Sequence, residues 1–314
     1  MDKFSLSPMS VWQGRQDPED GELALRWHDK VQAWPLSGTA EPGVALVGFA
    51  CDEGVRRNKG RVGAAGAPLA IRKLLANSAW HLTRPVYDSG DLTCDDGDLD
   101  AAHARLAERV ASLLDEGHFP LVLGGGHEVA FGSWSGLNRH LAGQGRVGII
   151  NFDAHFDLRM KREQASSGTP FFQIAEQCTA QSTSFTYACL GVAETANTQA
   201  LFARADTLGV WYVQDEAMSE RSLPALLSGL DSFIAQCDHL YLTIDLDVLP
   251  GAVMPGVSAP AARGVELAVI EPLIAHIRAS GKLRLADLAE YNPNLDQDNR
   301  SARVAARLVH QLTK

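Results

Sequence analysis

Three short runs of aspartate and histidine, each closing an apolar stretch, constrain this chain more than any other feature of its sequence. They are Leu-Gly-Gly-Gly-His at 123–127, Asn-Phe-Asp-Ala-His-Phe-Asp at 151–157 and Leu-Thr-Ile-Asp-Leu-Asp at 242–247. Residues two apart on an extended strand project to the same face. Asp153, His155 and Asp157 are therefore expected to point one way if the chain stays extended, as are Asp245 and Asp247. Gathering these groups with His127 at one end of an apolar sheet sets carboxylates against one another and strips their water, which is costly unless cations neutralise them. A pair of divalent metal ions is the simplest remedy. Four aspartates and two histidines make a hard, oxygen-rich set that suits manganese, whereas zinc more often takes sites dominated by His or Cys. Asp153 and Asp245 are the expected bridges between ions about 3.5–4 Å apart, with an acidified water between them.

The apolar stretches have a rhythm of their own. Buried strands are expected near 44–49, 85–88, 119–123, 146–152, 187–192, 209–213, 239–247 and 283–289, all short runs without polar alternation, as in strands covered on both faces. Helical stripes lie between many of them. Leu106, Val110, Leu113 and Leu114 mark a helix over 101–117 with Gly117 as its stop. Ile270, Leu273, Ile274 and Ile277 mark another over 270–280, with Pro272 near its start. A third, over 298–313, has Asp298 as its expected cap. Alternation of this kind implies an α/β fold with a parallel sheet and helices on both faces. Residues 1–42, with Trp12, Trp27 and Trp34 among Gly, Pro and charged residues, read as an irregular arm before a single 43–314 core; no linker divides the 314 residues. Ligands of open parallel sheets bind beyond the carboxyl ends of the strands. All three acidic runs fall at such ends.

Composition excludes other classes. No apolar run approaches the roughly 20 residues of a membrane span, and the N-terminal stretch lacks a signal-peptide core. Five scattered cysteines, odd in number and without CxxC spacing, fit reduced thiols and a cytoplasmic location. A formal charge of −10 argues against nucleic acid or an anionic membrane as partner. A lone Asp-x-Asp is commonly a surface loop or helix cap, and Gly124-Gly125-Gly126 lacks the Lys-Ser/Thr ending of a phosphate loop. The weight rests on all three runs sharing one sheet edge.

Gly-Gly-Gly-His-Glu (124–128), Asp-Ala-His-Phe-Asp (153–157), Ile-Asp-Leu-Asp (244–247) and Ala-Glu-Tyr-Asn-Pro (289–293) resemble, in order, the signatures of the ureohydrolase family of arginase, agmatinase and formimidoylglutamase. The resemblance spans roughly residues 44–312. It implies a three-layer α/β/α sandwich around a mostly parallel, eight-stranded sheet, and two Mn²⁺ ions per subunit. By motif, His127, Asp153, Asp157 and Asp245 would hold one ion, and Asp153, His155, Asp245 and Asp247 the other. Glu290 matches the carboxylate that binds the cationic amidine or guanidine of the substrate. Members commonly form trimers or hexamers, so a homo-oligomer is expected.

Two departures narrow the branch. Ser167 stands in Ser-Ser-Gly-Thr-Pro-Phe (166–171), where arginases and agmatinases carry a histidine given a proton-shuttling role. The Ser-Gly-Thr-Pro-Phe form resembles the formimidoylglutamase branch, and proton delivery would then fall to Asp157. The run Cys51-Asp-Glu-Gly-Val-Arg-Arg-Asn-Lys-Gly-Arg61 and the Asp157-Leu-Arg159 step resemble the same branch. Its substrate, N-formimidoyl-L-glutamate, carries two carboxylates, which arginine binds in two-pronged fashion. Of Arg56, Arg57, Lys59, Arg61 and Arg159, the residues expected to supply that charge are Arg159 and one of Arg57 or Arg61. The resemblance thus implies hydrolysis to L-glutamate and formamide in histidine degradation. Rival expectations are a urea-releasing hydrolase of a guanidino acid, a single-zinc deacetylase-like enzyme, and a non-catalytic protein on the same fold.

Overall fold

The computed structural model describes residues 4–5, 9–34 and 40–314. Its sheet contains β1 (Phe4–Ser5), β2 (Gln32–Ala33), β3 (Val44–Ala50), β4 (Val86–Thr93), β5 (Phe119–Leu123), β6 (Val147–Phe152), β7 (Thr186–Val192), β8 (Trp211–Gln214), β9 (His239–Asp245) and β10 (Leu283–Ala289). The order is β1-β4-β3-β5-β10-β9-β6-β7-β8, with β2 beside β1 on the outer edge of β4. Every pairing is parallel except that of β1. The eight strands expected from the apolar runs are β3 to β10, and the arm contributes the two short edge strands.

Successive residues of one strand feed two separate cores, which is why the strands read as continuous apolar runs. On β9, Leu240, Leu242 and Ile244 belong to one cluster and Tyr241 to the other. The first cluster is closed by the helices Ala67–Leu75, Leu223–Ile234, Leu267–Ala279 and Arg300–Thr313. The second is closed by Leu99–Asp115, Val129–Leu141, Pro170–Ala180 and Gln199–Thr207. This is a three-layer α/β/α sandwich.

Three local expectations change. Pro272 lies inside its helix, which begins five residues earlier at Leu267. The cap of Arg300–Thr313 is Asp296, not Asp298: its carboxylate accepts from the N–H groups of Ser301 and Ala302 at 2.9 and 3.0 Å. Finally, β4 runs to Thr93 through two charged positions that hid it from the hydrophobic pattern. Arg72, fully buried, donates to Asp88 at 2.9 Å and Asp91 at 2.6 Å, so those acids enter the sheet already paired. The arm is also less loose than its composition suggests. Trp27 is wholly buried against Trp80, and Trp12 Nε1 donates to Asp88 Oδ2 at 2.8 Å.

Candidate metal centre

After β5 the three glycines thread between two neighbouring loops. Gly126 N–H donates to Cys51 O at 3.0 Å, Gly124 N–H to Leu288 O at 2.8 Å, and Glu290 N–H to Gly125 O at 2.8 Å. A Cβ on Gly125 would overlap the Cys51 carbonyl oxygen, so only glycine passes there. The turn delivers His127, wholly buried, with Nε2 3.0 Å from Thr243 Oγ1 on β9. In the tautomer with the proton on Nε2, Nδ1 presents its lone pair. Nδ1 lies 3.1 Å from Asp153, 2.9 Å from Asp157 and 3.2 Å from Asp245.

The other carboxylates are set by turns rather than by strand pleat. β6 ends at Phe152, and Asp157 sits at φ 47°, so the extended alternation expected for 153–157 does not continue. Asp153 is fixed by donors on both oxygens, Asn151 Nδ2 at 2.9 Å and the His155 N–H at 2.6 Å. Asn197 holds the following turn, accepting from Phe156 N–H at 3.0 Å and donating to Ala154 O at 2.9 Å. After β9 a 3₁₀ turn replaces the strand. Asp245 Oδ1 accepts the Asp247 N–H at 2.9 Å, and Asp247 Oδ2 comes within 3.1 Å of His155 Nδ1.

Two sets of potential ligand atoms result. His127, Asp153, Asp157 and Asp245 each bring one atom within 4.8 Å of the rest, and Asp153, His155 and Asp247 do the same. Asp153 belongs to both. Asp245 does not fall in the second set, although its other oxygen is bound to the Asp247 backbone. The charges are in tension. Burial opposes protonation of His127, but the three carboxylates around it raise its pKa well above the ordinary imidazole value. Asp247 is the main cause of a similar rise at His155. Burial would push Asp153 up, yet the two imidazoles hold it far below the usual range. Asp245 is pushed up by burial and then by Asp247, and Asp157 by burial and then by Asp153. Asp247 Oδ1 and His127 Nδ1 are buried without a hydrogen-bond partner. An orphaned carboxylate oxygen and a free imidazole lone pair, among acids that burial resists ionising, are the donors a hard divalent cation satisfies.

A cavity of about 410 Å³ opens over this cluster. Glu290, Ser167, Arg159, Arg61 and Ser258 line it; Arg57 does not. Arg57 is divided among Glu53 at 2.7 Å, Gly97 O at 2.8 Å and Ala165 O at 3.3 Å, because it closes the short helix Glu53–Arg57 against the next loops. The Arg61 side chain reaches Ser258 O at 2.9 Å and Val257 O at 2.8 Å. Ser167 Oγ accepts from Asn58 Nδ2 at 3.2 Å. Glu290, at φ 68°, accepts the His127 N–H; burial, then Glu128, pushes its carboxyl up to about 8. Glu128 itself is buried and accepts Gly54 N–H at 2.8 Å, tying the 53–59 loop to the metal-facing turn. Asn197, Asn58 and Thr243 escaped sequence reasoning. Thr243 carried a signal, standing two residues before Asp245 on one strand face; Asn197 carried none.

Acidic and imidazole groups paired in this way at the carboxyl edge of a parallel sheet define a hydrolase of the metal-binding α/β type. The arginase family model matches residues 42–314, and the chain belongs to the arginase family, whose members act on amidine-type C–N bonds. It is 95% identical to a formimidoylglutamase of Aeromonas salmonicida over 314 residues, all of both chains. Its fold is similar to that of a Bacillus subtilis formimidoylglutamase crystal structure (TM-score 0.84, 23% identity, 96% of this chain and 93% of that one). It is similar also to a crystal structure of Trypanosoma cruzi formiminoglutamase with Mn²⁺ (TM-score 0.78, 26% identity, 87% and 92%). No helix among the described residues is long and apolar enough to cross a membrane.

Proposed function

We propose that this enzyme hydrolyses N-formimidoyl-L-glutamate to L-glutamate and formamide, as a step of histidine degradation in the cytoplasm, and works as a homo-oligomer. The observation that carries the reading is the pair of ligand sets sharing Asp153, opening with Glu290 into one cavity. The names of the Aeromonas and Trypanosoma proteins support the substrate, and the Mn²⁺ of the latter supports the metal. His127, Asp153, Asp157 and Asp245 would hold one Mn²⁺, and Asp153, His155, Asp245 and Asp247 the other. Two such ions supply a water acidic enough to be nucleophilic near neutral pH, together with Lewis-acid stabilisation of developing charge.

The protein's own groups do the rest. Glu290 ion-pairs with the formimidinium and fixes the face presented to the centre. Asp157, at the edge of the ligand set and lining the cavity, is the candidate to pass a proton from the attacking water to the departing glutamate nitrogen. Ser167, held by Asn58, cannot titrate near neutral pH as an imidazole does, which fits a branch that does without a histidine shuttle. Arg159 and Arg61 are the arginines at the cavity, and Arg159 is the better placed to meet a substrate carboxylate because Arg61 is spent on two carbonyls.

Proton NMR of the manganese-loaded enzyme separates this from the urea-releasing alternative. Formamide and glutamate should appear from N-formimidoyl-L-glutamate, with no urea from arginine, agmatine or guanidinobutyrate. Urea release at a comparable rate, without formamide, would overturn the proposal.

A further inference from the structure

The cavity over the metal centre contains three cationic side chains, Lys59, Arg61 and Arg159. Arg61 is committed to the Val257 and Ser258 carbonyls, and beyond the cavity wall Arg56 and Arg57 are paired with Glu53. Among the described residues, Lys59 and Arg159 have no acidic partner. In a molecule of net charge −10, two cations on one cavity wall that no protein carboxylate pairs with are available to an anionic group of a ligand.

Their backbones hold both in place. The Arg159 N–H donates to Gly168 O at 2.9 Å, and a Cβ on Gly168 would lie 3.2 Å from both Arg159 Nε and Asn58 Nδ2. The Arg159 side chain and the Asn58–Lys59 loop thus flank one gap, kept open by a glycine. Lys59 sits at φ 63°, a conformation that suits glycine better than any residue with a Cβ. Two hydrogen bonds keep it there: Lys59 N–H to Arg56 O at 3.1 Å and Gly60 N–H to Val55 O at 2.8 Å. The loop is anchored in turn by Glu128, the neighbour of His127.

We infer that Lys59 and Arg159 divide the two carboxylates of the substrate between them, Arg159 taking the α-carboxylate and Lys59 the side-chain carboxylate. The inference rests on the formimidoylglutamate reading above. In that substrate the amidine is carried by the α-nitrogen, so the α-carboxylate lies nearest the metal centre. Arg159, two residues from Asp157 in sequence and lining the same cavity, offers the planar fork that grips a carboxylate at two points. Lys59, exposed on the outer loop, meets the longer, more mobile arm with a compact ammonium. Lys59 is therefore a specificity-determining residue, separating dicarboxylic from monocarboxylic formimidoyl amino acids.

Lys59→Gly and Lys59→Asn test this without straining the loop, since both residues accept positive φ. Steady-state constants of the manganese-loaded enzyme are measured on N-formimidoyl-L-glutamate and on N-formimidoyl-L-2-aminobutyrate, which lacks the side-chain carboxylate. Either variant should raise KM for the glutamate substrate about tenfold or more, with kcat within about threefold, and Lys59→Arg should recover most of the loss. The loss should be confined to the substrate bearing the second carboxylate, whereas Arg159→Gln should weaken both. An unchanged KM for the glutamate substrate in Lys59→Gly, or an equal loss on both substrates, would overturn the division while formamide release by the unaltered enzyme left the parent reading standing. Absence of formamide from the unaltered enzyme would bring down both.

Discussion

The His127 backbone N–H donates to Glu290 Oε1 across 2.9 Å, joining the turn after β5 to the turn after β10. A single carboxylate thus spans the turn that delivers His127 and the cavity over the acidic cluster. Glu290→Gln keeps the acceptor and removes the charge that an amidinium needs. We expect kcat/KM to fall at least about a hundredfold with little change in Tm. Glu290→Ala, which also orphans the His127 N–H, should lose stability as well, by about 1–3 kcal/mol. A Gln variant with undiminished kcat/KM would contradict the assigned role.

Thr243 Oγ1 orients the His127 ring from β9. Groups that orient a metal-binding imidazole commonly govern affinity more than structure. Thr243→Val should weaken Mn²⁺ binding about 10- to 100-fold in a direct titration. Chelation of the unaltered protein should lower Tm, and a thousandfold excess of Mn²⁺ over its Kd should restore about 4 kcal/mol. Identical melting with and without metal would show that the acidic cluster does not bind it.

Arg72 is the only charge facing Asp88 and Asp91 that the described residues supply through ion pairs. Arg72→Met leaves the buried Asp88 charge without a counter-ion, with only the Trp12 Nε1–H and Gly90 N–H donors remaining. The expected loss is about 3–5 kcal/mol, read as a drop in chemical or thermal denaturation midpoint. Arg72→Met/Asp88→Asn should recover part of it, since the uncompensated charge is then gone.

His103 lies between Phe49 and Phe131, and burial lowers its pKa to about 4. The folded protein therefore takes up this proton less readily than the unfolded chain. The contribution to stability is fully present above the ordinary imidazole value of 6.5 and is lost as pH falls from there through about 4. Between pH 7 and pH 5 the loss should be on the order of 2 kcal/mol. His103→Leu should flatten that part of the profile; an unchanged difference in Tm between the two pH values would refute it.

Much of the fold was legible because both its cores are fed by the strands from β3 to β10. Alternate residues of β9 enter opposite clusters, so the whole strand had to be apolar, and eight such runs announced eight strands. The limits of β4 were hidden because its buried acids are neutralised by Arg72, a residue on a helix that no local pattern connects to them. The cap of the last helix was misplaced by two residues for a similar reason: Asp296 reaches forward over a loop whose path depends on Asn299 taking a left-handed φ of 53°.

By itself the sequence determined which aspartates and histidines gather and that they lie at one edge of a parallel sheet, since strand ends and residue types are local properties. Tertiary structure decided how they face one another. The pleat stops at Phe152 and at Asp245, and turns held by Asn151, Asn197 and the Asp247 backbone aim the carboxylates instead. It also decided which cations are spent on the protein and which are left for a ligand. Arg57 and Lys59 are two residues apart and chemically alike, and only the position of Glu53 and of the Gly97 and Ala165 carbonyls separates a strut from an open charge. Such partners come from distant segments, and their distances are fixed only when the chain has folded.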